Sequence, residues 1–284
     1  MIEAGEYCGF ELSFEEPGIA VVRFNEPERL NGMTQMFKRD LVEAIHQFQM
    51  EDAVRVVVFT GSGRAFSAGD DISGHAVESS SKLVPEIFRG HHNHIGTYDG
   101  LRWLSQPLNL AIRNLDKLTF SAINGVAIQT GFSLALACDF RIAARSARMG
   151  SATLRFGLLP DEGGQFLLVQ LLGVARTMDF LMRKRIVTAE EALELGLVHE
   201  VTADEDLMDR TLEFAREMAE GPQVAMRLLK RSIYNAAEMD FVHALDEIAS
   251  KTPIGDHHPD AREGIAAFRE KRTPKFNEWL ENDG

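Results

Sequence analysis

One apolar run, residues 54–61, constrains the fold of this 284-residue chain more than any other stretch. It reads "VRVVVFTG", and its β-branched residues do not alternate with polar ones as they would in a strand with one face in water. We therefore predict a strand that is buried on both faces, in an α/β fold.

The flanking segments add further elements. The stretch "YCGFELSFEEPGIAVVRFN" predicts two strands around a Glu16-Pro17-Gly18 turn. Thr34 can cap a helix in which Phe37, Leu41, Ile45 and Phe48 recur at helical spacing. Further on, a second apolar strand is predicted over 118–125, and a helix begins at Thr188.

The chain changes character near residue 200. From 206 to 281 it is charged and amphipathic, and it predicts four helices and no strand. We therefore expect two regions, a core over residues 1–200 and a helical region over 201–284.

Composition limits the partners. The net charge of −13 argues against nucleic acid and against an anionic membrane surface, because both need a basic surface. Two cysteines without metal-ligand spacing, and the lack of a signal-peptide pattern or a membrane-length apolar stretch, lead us to expect a cytoplasmic protein.

Two loops that follow predicted strands are candidate binding elements. In "TGSGRAFSAGDD" neither the phosphate-binding nor the dinucleotide-binding glycine pattern is complete, but exposed backbone N–H groups near Asp70 can hold an oxyanion. In "INGVAIQTGFSLALACD" a helix begins near Thr130, and its free N–H groups are a second candidate. Strand-to-helix packing alone also explains this second loop.

A histidine cluster suggests a metal only weakly. His91, His92 and His94 lie in "GHHNHIG" without a nearby cysteine or carboxylate, so we expect no metal site. The stretch "FGLLPDEGGQF" is more informative, because it is either a solvated turn or a place where Asp161 or Glu162 lies in apolar surroundings and moves protons.

These motifs, in this order, resemble the crotonase, or enoyl-CoA hydratase/isomerase, superfamily. The resemblance spans nearly the whole chain and rests on "VRFNEPERLNGMTQMF", "VVVFTGSGRAFSAGDDI", "SAINGVAIQTGFSLALACDFRIAA", "FGLLPDEGG", "TAEEALELGLVHEV" and "FREKRTPKF". It implies a crotonase fold of repeated ββα units with a C-terminal helical region. It also implies trimers or pairs of trimers, and an acyl-CoA substrate whose coenzyme A is part of the substrate rather than a cofactor.

The resemblance also implies roles for individual residues. The backbone N–H groups of Asp70 and Thr130 would hold the thioester oxygen, although the β-branched Thr130 stands where many relatives have glycine. Coenzyme-binding and substrate-binding positions would be Arg29, Arg64, Ala68 and Ile72, with Phe268 and Lys271 reaching the coenzyme of a neighbouring subunit.

The resemblance points to the reaction as well. The two glutamate positions of hydratases carry Ser133 and Thr153, which can hold water or a substrate hydroxyl but are not bases near neutral pH. Asp161 matches the single carboxylate of some isomerases. We expect Phe156, Leu158, Leu159 and Phe166 to raise its pKa by desolvation. Glu162 is the runner-up base, expected to point elsewhere.

The prediction is therefore an enoyl-CoA isomerase that shifts a double bond with one carboxylate and an oxyanion hole. Alternatives are an enoyl-CoA hydratase, an acyl-CoA hydrolase, a decarboxylase or a ring-opening relative. An alternative of another class is a non-catalytic acyl-CoA-binding protein.

Overall fold

The computed structural model describes residues 2–71 and 93–281. In these ranges the strands are β1 (Gly5–Glu6), β2 (Phe10–Glu15), β3 (Ile19–Phe24), β4 (Val56–Gly61), β5 (Ala65–Ser67), β6 (Leu118–Ile123), β7 (Val126–Ile128), β8 (Phe140–Ala144), β9 (Arg148–Gly150), β10 (Ile186–Thr188) and β11 (Glu200–Thr202). The helices are α1 (Gln35–Met50), α2 (His94–Gly100), α3 (Gln106–Asn114), α4 (Thr130–Ala137), α5 (Gly164–Met182), α6 (Ala189–Glu194), α7 (Leu207–Glu220), α8 (Gln223–Ala236), α9 (Phe241–Asp256) and α10 (Pro259–Glu270).

The strands form two sheets. The larger has the order β1-β2-β3-β4-β6-β8-β11, antiparallel as far as β3 and parallel from β3 onward. The smaller has the order β10-β9-β7-β5, and β9, β7 and β5 are parallel. The carboxyl ends of β5 and β7 therefore lie at the same edge of the small sheet.

Strand β4 is buried on both faces, as its sequence predicts. Every residue of β4 is buried. Val58 belongs to an apolar cluster with α7, whereas Val57 and Phe59 belong to the cluster that includes α1 and α4. Both faces of the large sheet are thus covered, which explains the unbroken apolar run.

The repeated ββα units are present. In each of two units, β6-β7-α4 and β8-β9-α5, the first strand lies in the large sheet and the second in the small one. The predicted cap at Thr34 and the predicted helix start at Thr188 are confirmed, because the two hydroxyls accept hydrogen bonds from the N–H groups of Phe37 and Glu191. This arrangement is the crotonase fold that the motifs imply.

The predicted region boundary at residue 200 falls in β11, which pairs with β8 in the large sheet. Helix α7 packs against this sheet through Leu207, Ala215 and Ala219. Four helices follow β11, as predicted, and α9 has no buried residue in this structure. The first helix of this region, α7, therefore packs on the large sheet, whereas α9 is largely exposed.

Helix α5 is long and apolar enough, by length and composition, to cross a membrane. However, Gly173 within it has φ 72° and ψ 168°, which is not helical. The break divides α5 into two segments, each far shorter than the ~20 residues that a membrane-spanning helix needs.

A buried ion pair anchors α8 to the sheet. Lys230 Nζ lies 2.8 Å from Asp139 Oδ2, and both side chains are less than a tenth exposed. The same Asp139 oxygen accepts hydrogen bonds from the backbone N–H and the hydroxyl of Thr119 in β6. Burial lowers the pKa of Lys230, and the Asp139 charge opposes this shift.

We expect Asp139→Ala to lower the free energy of unfolding by about 3–5 kcal/mol, because it leaves the Lys230 charge buried without a counter-charge. Urea unfolding measures this. The control is Asp179→Ala on α5, which removes a carboxylate from exposed ion pairs and should change stability little. Equal effects of the two substitutions would contradict the anchoring role.

Candidate active site

The two loops singled out by the sequence lie against each other. A Cβ atom on Gly131 would lie 2.4 Å from the Ser67 carbonyl oxygen, and one on Gly69 would lie 2.7 Å from Gln129 Cβ. Real Cβ atoms do not approach other atoms so closely, so only glycine permits this packing. The end of β5 and the start of α4 are therefore in direct contact.

Asp70 and Thr130 are neighbours at this junction. The Thr130 hydroxyl donates to Asp70 Oδ1 at 2.8 Å. Within the described residues, neither the Asp70 N–H nor the Thr130 N–H donates a hydrogen bond. Free amides on two contacting residues are candidates for binding a developing negative charge on an oxygen.

The backbone strain expected at Thr130 is found one residue earlier, at Gln129. Thr130 is the first residue of α4, where a β-branched residue is allowed. Gln129 has φ 56° and ψ −123°, a conformation that side chains other than glycine rarely adopt. Its side-chain oxygen accepts a hydrogen bond from the Ala152 N–H at 3.2 Å, which helps to hold this conformation.

Asp161 and Glu162 lie in the turn before α5. Gln106 Nε2 donates to the Asp161 carbonyl at 3.0 Å, and Asn109 Nδ2 donates to the Glu162 carbonyl at 2.8 Å. Asp161 is exposed, whereas Glu162 is 5% exposed. Both residues line a cleft of about 620 Å³ between α3, α5 and α8.

The Glu162 side chain points into the protein interior, whereas Asp161 is exposed. Its Oε1 accepts a hydrogen bond from Lys38 Nζ at 2.6 Å. The same nitrogen lies 2.7 Å from Asp70 Oδ1 and 2.8 Å from Ser105 Oγ. Lys38, which is 1% exposed, therefore connects the acidic turn to the loop that carries the Asp70 amide.

Sequence reasoning missed Lys38, although a signal was present. Lys38 is three residues before Leu41 and seven before Ile45, so it shares the buried face of α1. A lysine at an apolar stripe position is almost never fully buried unless it is paired. Nothing in the sequence distinguishes Ser105, Gln106 and Asn109 as partners of these groups.

Burial and charge set the pKa values of these groups. Partial desolvation raises the pKa of Asp161; the nearby Asp70 charge adds to this, and the Lys38 charge opposes it. Burial raises the pKa of Glu162, again against the Lys38 charge. Burial alone would lower the pKa of Lys38, but the Glu162 and Asp70 carboxylates raise it. Lys38 is therefore a fixed cation.

The apolar enclosure expected around Asp161 is not formed by its sequence neighbours. Phe156, Leu158 and Leu159 are 67%, 59% and 67% exposed, and Phe166 is 46% exposed. The predicted rise in the pKa of Asp161 is found, but these side chains face away from the protein interior.

Ser133 and Thr153 lie on different elements near the acidic turn. Ser133 is buried on α4, one turn after Thr130, and its hydroxyl would lie 2.5 Å from a Cβ atom on Gly164. Thr153 begins a short 3₁₀ turn, and its hydroxyl lies 3.4 Å from that of Ser151. Neither position supplies a carboxylate.

The predicted coenzyme-binding residues are only partly brought together. Arg29 pairs with Asp71 at 2.5 Å, beside Asp70, and the Ala68 N–H donates to the Leu30 carbonyl. Arg64 is exposed at the opposite end of β5 from Asp70. Ile72 lies outside the described residues.

The C-terminal candidates lie apart. Phe268 is 86% exposed on α10, and Lys271 follows the end of that helix with φ 56°. No contact joins either residue to Asp70 or Asp161 in the part of the chain that the structure describes. They stay predictions that concern a neighbouring subunit.

The structure describes only one of the three clustered histidines. His94 begins α2, whereas His91 and His92 lie outside the described residues. Across residues 2–71 and 93–281, no group of three His, Cys, Asp or Glu side chains is placed to hold a metal ion.

We expect Gly131→Ala to lower the free energy of unfolding by about 1–3 kcal/mol, because the added methyl overpacks the contact with Ser67. The matched control is Gly255→Ala on α9, where nothing lies within 4 Å of the new Cβ atom. This control should be neutral or slightly stabilising, because alanine favours helix. Urea unfolding of both variants tests the close approach, and equal stabilities would contradict it.

Comparison with known proteins identifies the family. The model of the enoyl-CoA hydratase/isomerase family matches residues 15–279. The chain is 33% identical over 267 residues to 1,2-epoxyphenylacetyl-CoA isomerase of Escherichia coli K12, covering 94% of this chain and 98% of that protein. It is 33% identical to a probable enoyl-CoA hydratase of Rhodobacter capsulatus, covering 91% and 94% of the two chains.

The fold comparison agrees. The crystal structure of enoyl-CoA hydratase from Bacillus anthracis matches with a TM-score of 0.86 and 29% identity, covering 95% of this chain and 99% of that one. Sequence and fold thus agree along almost the entire chain. The protein therefore belongs to the enoyl-CoA hydratase/isomerase family and has the crotonase fold.

Proposed function

We propose that this enzyme isomerises a double bond in an unsaturated acyl-CoA. Asp161 acts as the acid and base, and the backbone N–H groups of Asp70 and Thr130 hold the thioester oxygen. The observation that carries the proposal is the position of Asp161. It lines an open cleft, has a raised pKa and lies within electrostatic reach of Asp70, whose amide is free.

The side chains at the two hydratase positions support this choice. Ser133 and Thr153 offer hydroxyls that cannot take a proton from carbon or from water near neutral pH. A single carboxylate suffices for a double-bond shift, because the proton removed from one carbon can return to another. The relative from Escherichia coli is itself named an isomerase.

The chemistry follows from these groups. The Asp161 carboxylate removes a proton from the carbon beside the double bond, and the electrons move toward the thioester oxygen. The two amides then stabilise the dienolate, and each preorganised donor is typically worth ~3 kcal/mol in the transition state. Asp161, now protonated, delivers the proton to the γ or α carbon and regains its charge.

A second candidate activity is hydration, since one relative is named a probable enoyl-CoA hydratase. Glu162 would then be the base. In its favour, Glu162 Oε2 is buried and has no hydrogen-bond partner among the described residues. Against it, the other oxygen is held by the Lys38 ammonium, whose charge opposes the rise in the pKa of Glu162 that burial causes.

We propose a homotrimer or a pair of trimers as the assembly. In support, α9 and α10 carry exposed apolar side chains, of which Phe241, Leu245, Ile265 and Phe268 are at least half exposed. Phe268 and Lys271 would bind coenzyme A in a neighbouring subunit, together with that subunit's Arg29, Arg64, Ala68 and Ile72. Light scattering after size-exclusion chromatography measures the subunit number.

We expect Asp161→Asn to abolish isomerisation of a β,γ-enoyl-CoA and to leave acyl-CoA binding nearly unchanged, because the amide keeps the shape but cannot accept the proton. Glu162→Gln is the matched variant and should retain measurable turnover. Absorbance of the conjugated product gives the rate, and calorimetry gives the affinity. Full activity of Asp161→Asn would refute the assignment.

The same substrate in deuterated water separates the reaction classes. A conjugated enoyl-CoA with solvent deuterium in the acyl chain supports isomerisation. Hydroxyacyl-CoA indicates a hydratase, and free coenzyme A indicates a hydrolase. Binding without any product indicates a non-catalytic acyl-CoA-binding protein.

The pH dependence follows from the raised pKa of Asp161. The base must be ionised, so kcat/KM should fall as the pH drops through this pKa, which lies above the usual Asp value of about 4. A rate that stays constant down to pH 4 would contradict this role for Asp161.

A further inference from the structure

We propose that Lys38 is a positioning residue that sets the charge of the proton-transfer site. Its ammonium group pairs with the side chains of Glu162 and Asp70, which leaves Asp161 as the acidic side chain that exchanges a proton during turnover. This inference rests on the proposed isomerase function.

The geometry of the Lys38 ammonium supports this role. An ammonium group has three donors, and here all three have acceptors, on Asp70, Glu162 and Ser105, at 2.6–2.8 Å. These acceptors belong to three separate segments of the chain. Lys38 therefore joins the loop after β5, the start of α3 and the turn before α5.

Burial makes this contact electrostatically strong. The side chains of Lys38 and Glu162 are 2% and 4% exposed, so water screens their interaction little. Glu162 Oε2 is buried without a hydrogen bond among the described residues, so the Lys38 cation is the main group that stabilises this carboxylate. Without Lys38, the pKa of Glu162 would rise further.

Asp161 responds to the same charges. Asp70 and Lys38 act on it with opposite sign. Glu162 is the next residue in the turn, so its negative charge should act on Asp161 in the same direction as that of Asp70. Among the described residues, the charged groups in this cluster come from α1 (Lys38), from the loop after β5 (Asp70) and from the turn before α5 (Asp161 and Glu162). The cleft that Asp161 lines is also lined by Arg102, Arg113, Arg231 and Glu238. Removing either the Lys38 charge or the Glu162 charge should therefore move the pKa of Asp161. Removing both charges together should leave this pKa unchanged.

The test is a set of four variants with opposite expectations. Lys38→Met should raise the apparent pKa on the acid side of the kcat/KM profile by about one unit, because a nearby cation lowers a carboxyl pKa by about 1–3 units. Glu162→Gln should lower it. The double variant K38M/E162Q should return it close to the wild-type value. Lys38→Arg, which keeps the charge, should leave it in place.

A purely structural role predicts something else. Lys38→Met would then lower kcat while the acid limb stays fixed, and the double variant would not restore the profile. Thermal unfolding of each variant identifies loss of fold. If Lys38→Met does not fold, Glu162→Gln and the double variant still decide, because an unmoved acid limb in Glu162→Gln overturns the proposal.

A second measurement separates this proposal from the isomerase assignment. Difference infrared spectroscopy titrates the protonated carboxyl band of Asp161, with each variant compared with the same variant carrying Asp161→Asn. A pKa shift in Lys38→Met supports the positioning role even if the wild-type protein has no isomerase activity. If the wild-type enzyme is active but the pKa of Asp161 is unchanged in Lys38→Met, the positioning role of Lys38 is refuted and the isomerase assignment is not.

Discussion

The close contact between the end of β5 and the start of α4 is the constraint on which the site depends. Gly69 and Gly131 let the two loops approach within distances that no Cβ atom would allow. The parallel pairing of β5 with β7 brings both loops to one edge of the small sheet. The close approach of these two loops therefore positions the two free amides, whatever the side chains of Asp70 and Thr130.

A second layer of control is electrostatic. Three acidic side chains, Asp70, Asp161 and Glu162, lie near one another, and one buried lysine opposes their charge. Burial raises the pKa of Asp161 and that of Glu162, and the Lys38 charge opposes both shifts. Two adjacent acids in one turn thereby obtain different environments, an open one for Asp161 and a closed, ion-paired one for Glu162. Such a separation of environments is how proteins assign different roles to neighbouring carboxyl groups.

Much of the fold was predictable because its signals are local. The doubly buried β4, the helix caps at Thr34 and Thr188 and the start of α4 each follow from a few consecutive residues. The resemblance to the enoyl-CoA hydratase/isomerase family came from six ordered motifs and is confirmed along almost the whole chain. The burial of Glu162 against Lys38 was not predictable, because side-chain direction in a turn depends on distant partners, here one that is 124 residues away.

The sequence by itself determined the family, the α/β architecture, the two loops with free amides and the lack of carboxylates at Ser133 and Thr153. These features depend on residue type, spacing and order, all of which are visible along the chain. Only the tertiary structure decided that Glu162 is buried against Lys38, that Asp161 faces the cleft, and that the strained residue is Gln129 and not Thr130. The physical reason is that burial and ion pairing are properties of atoms brought together from separate segments, and no local pattern encodes which segments meet.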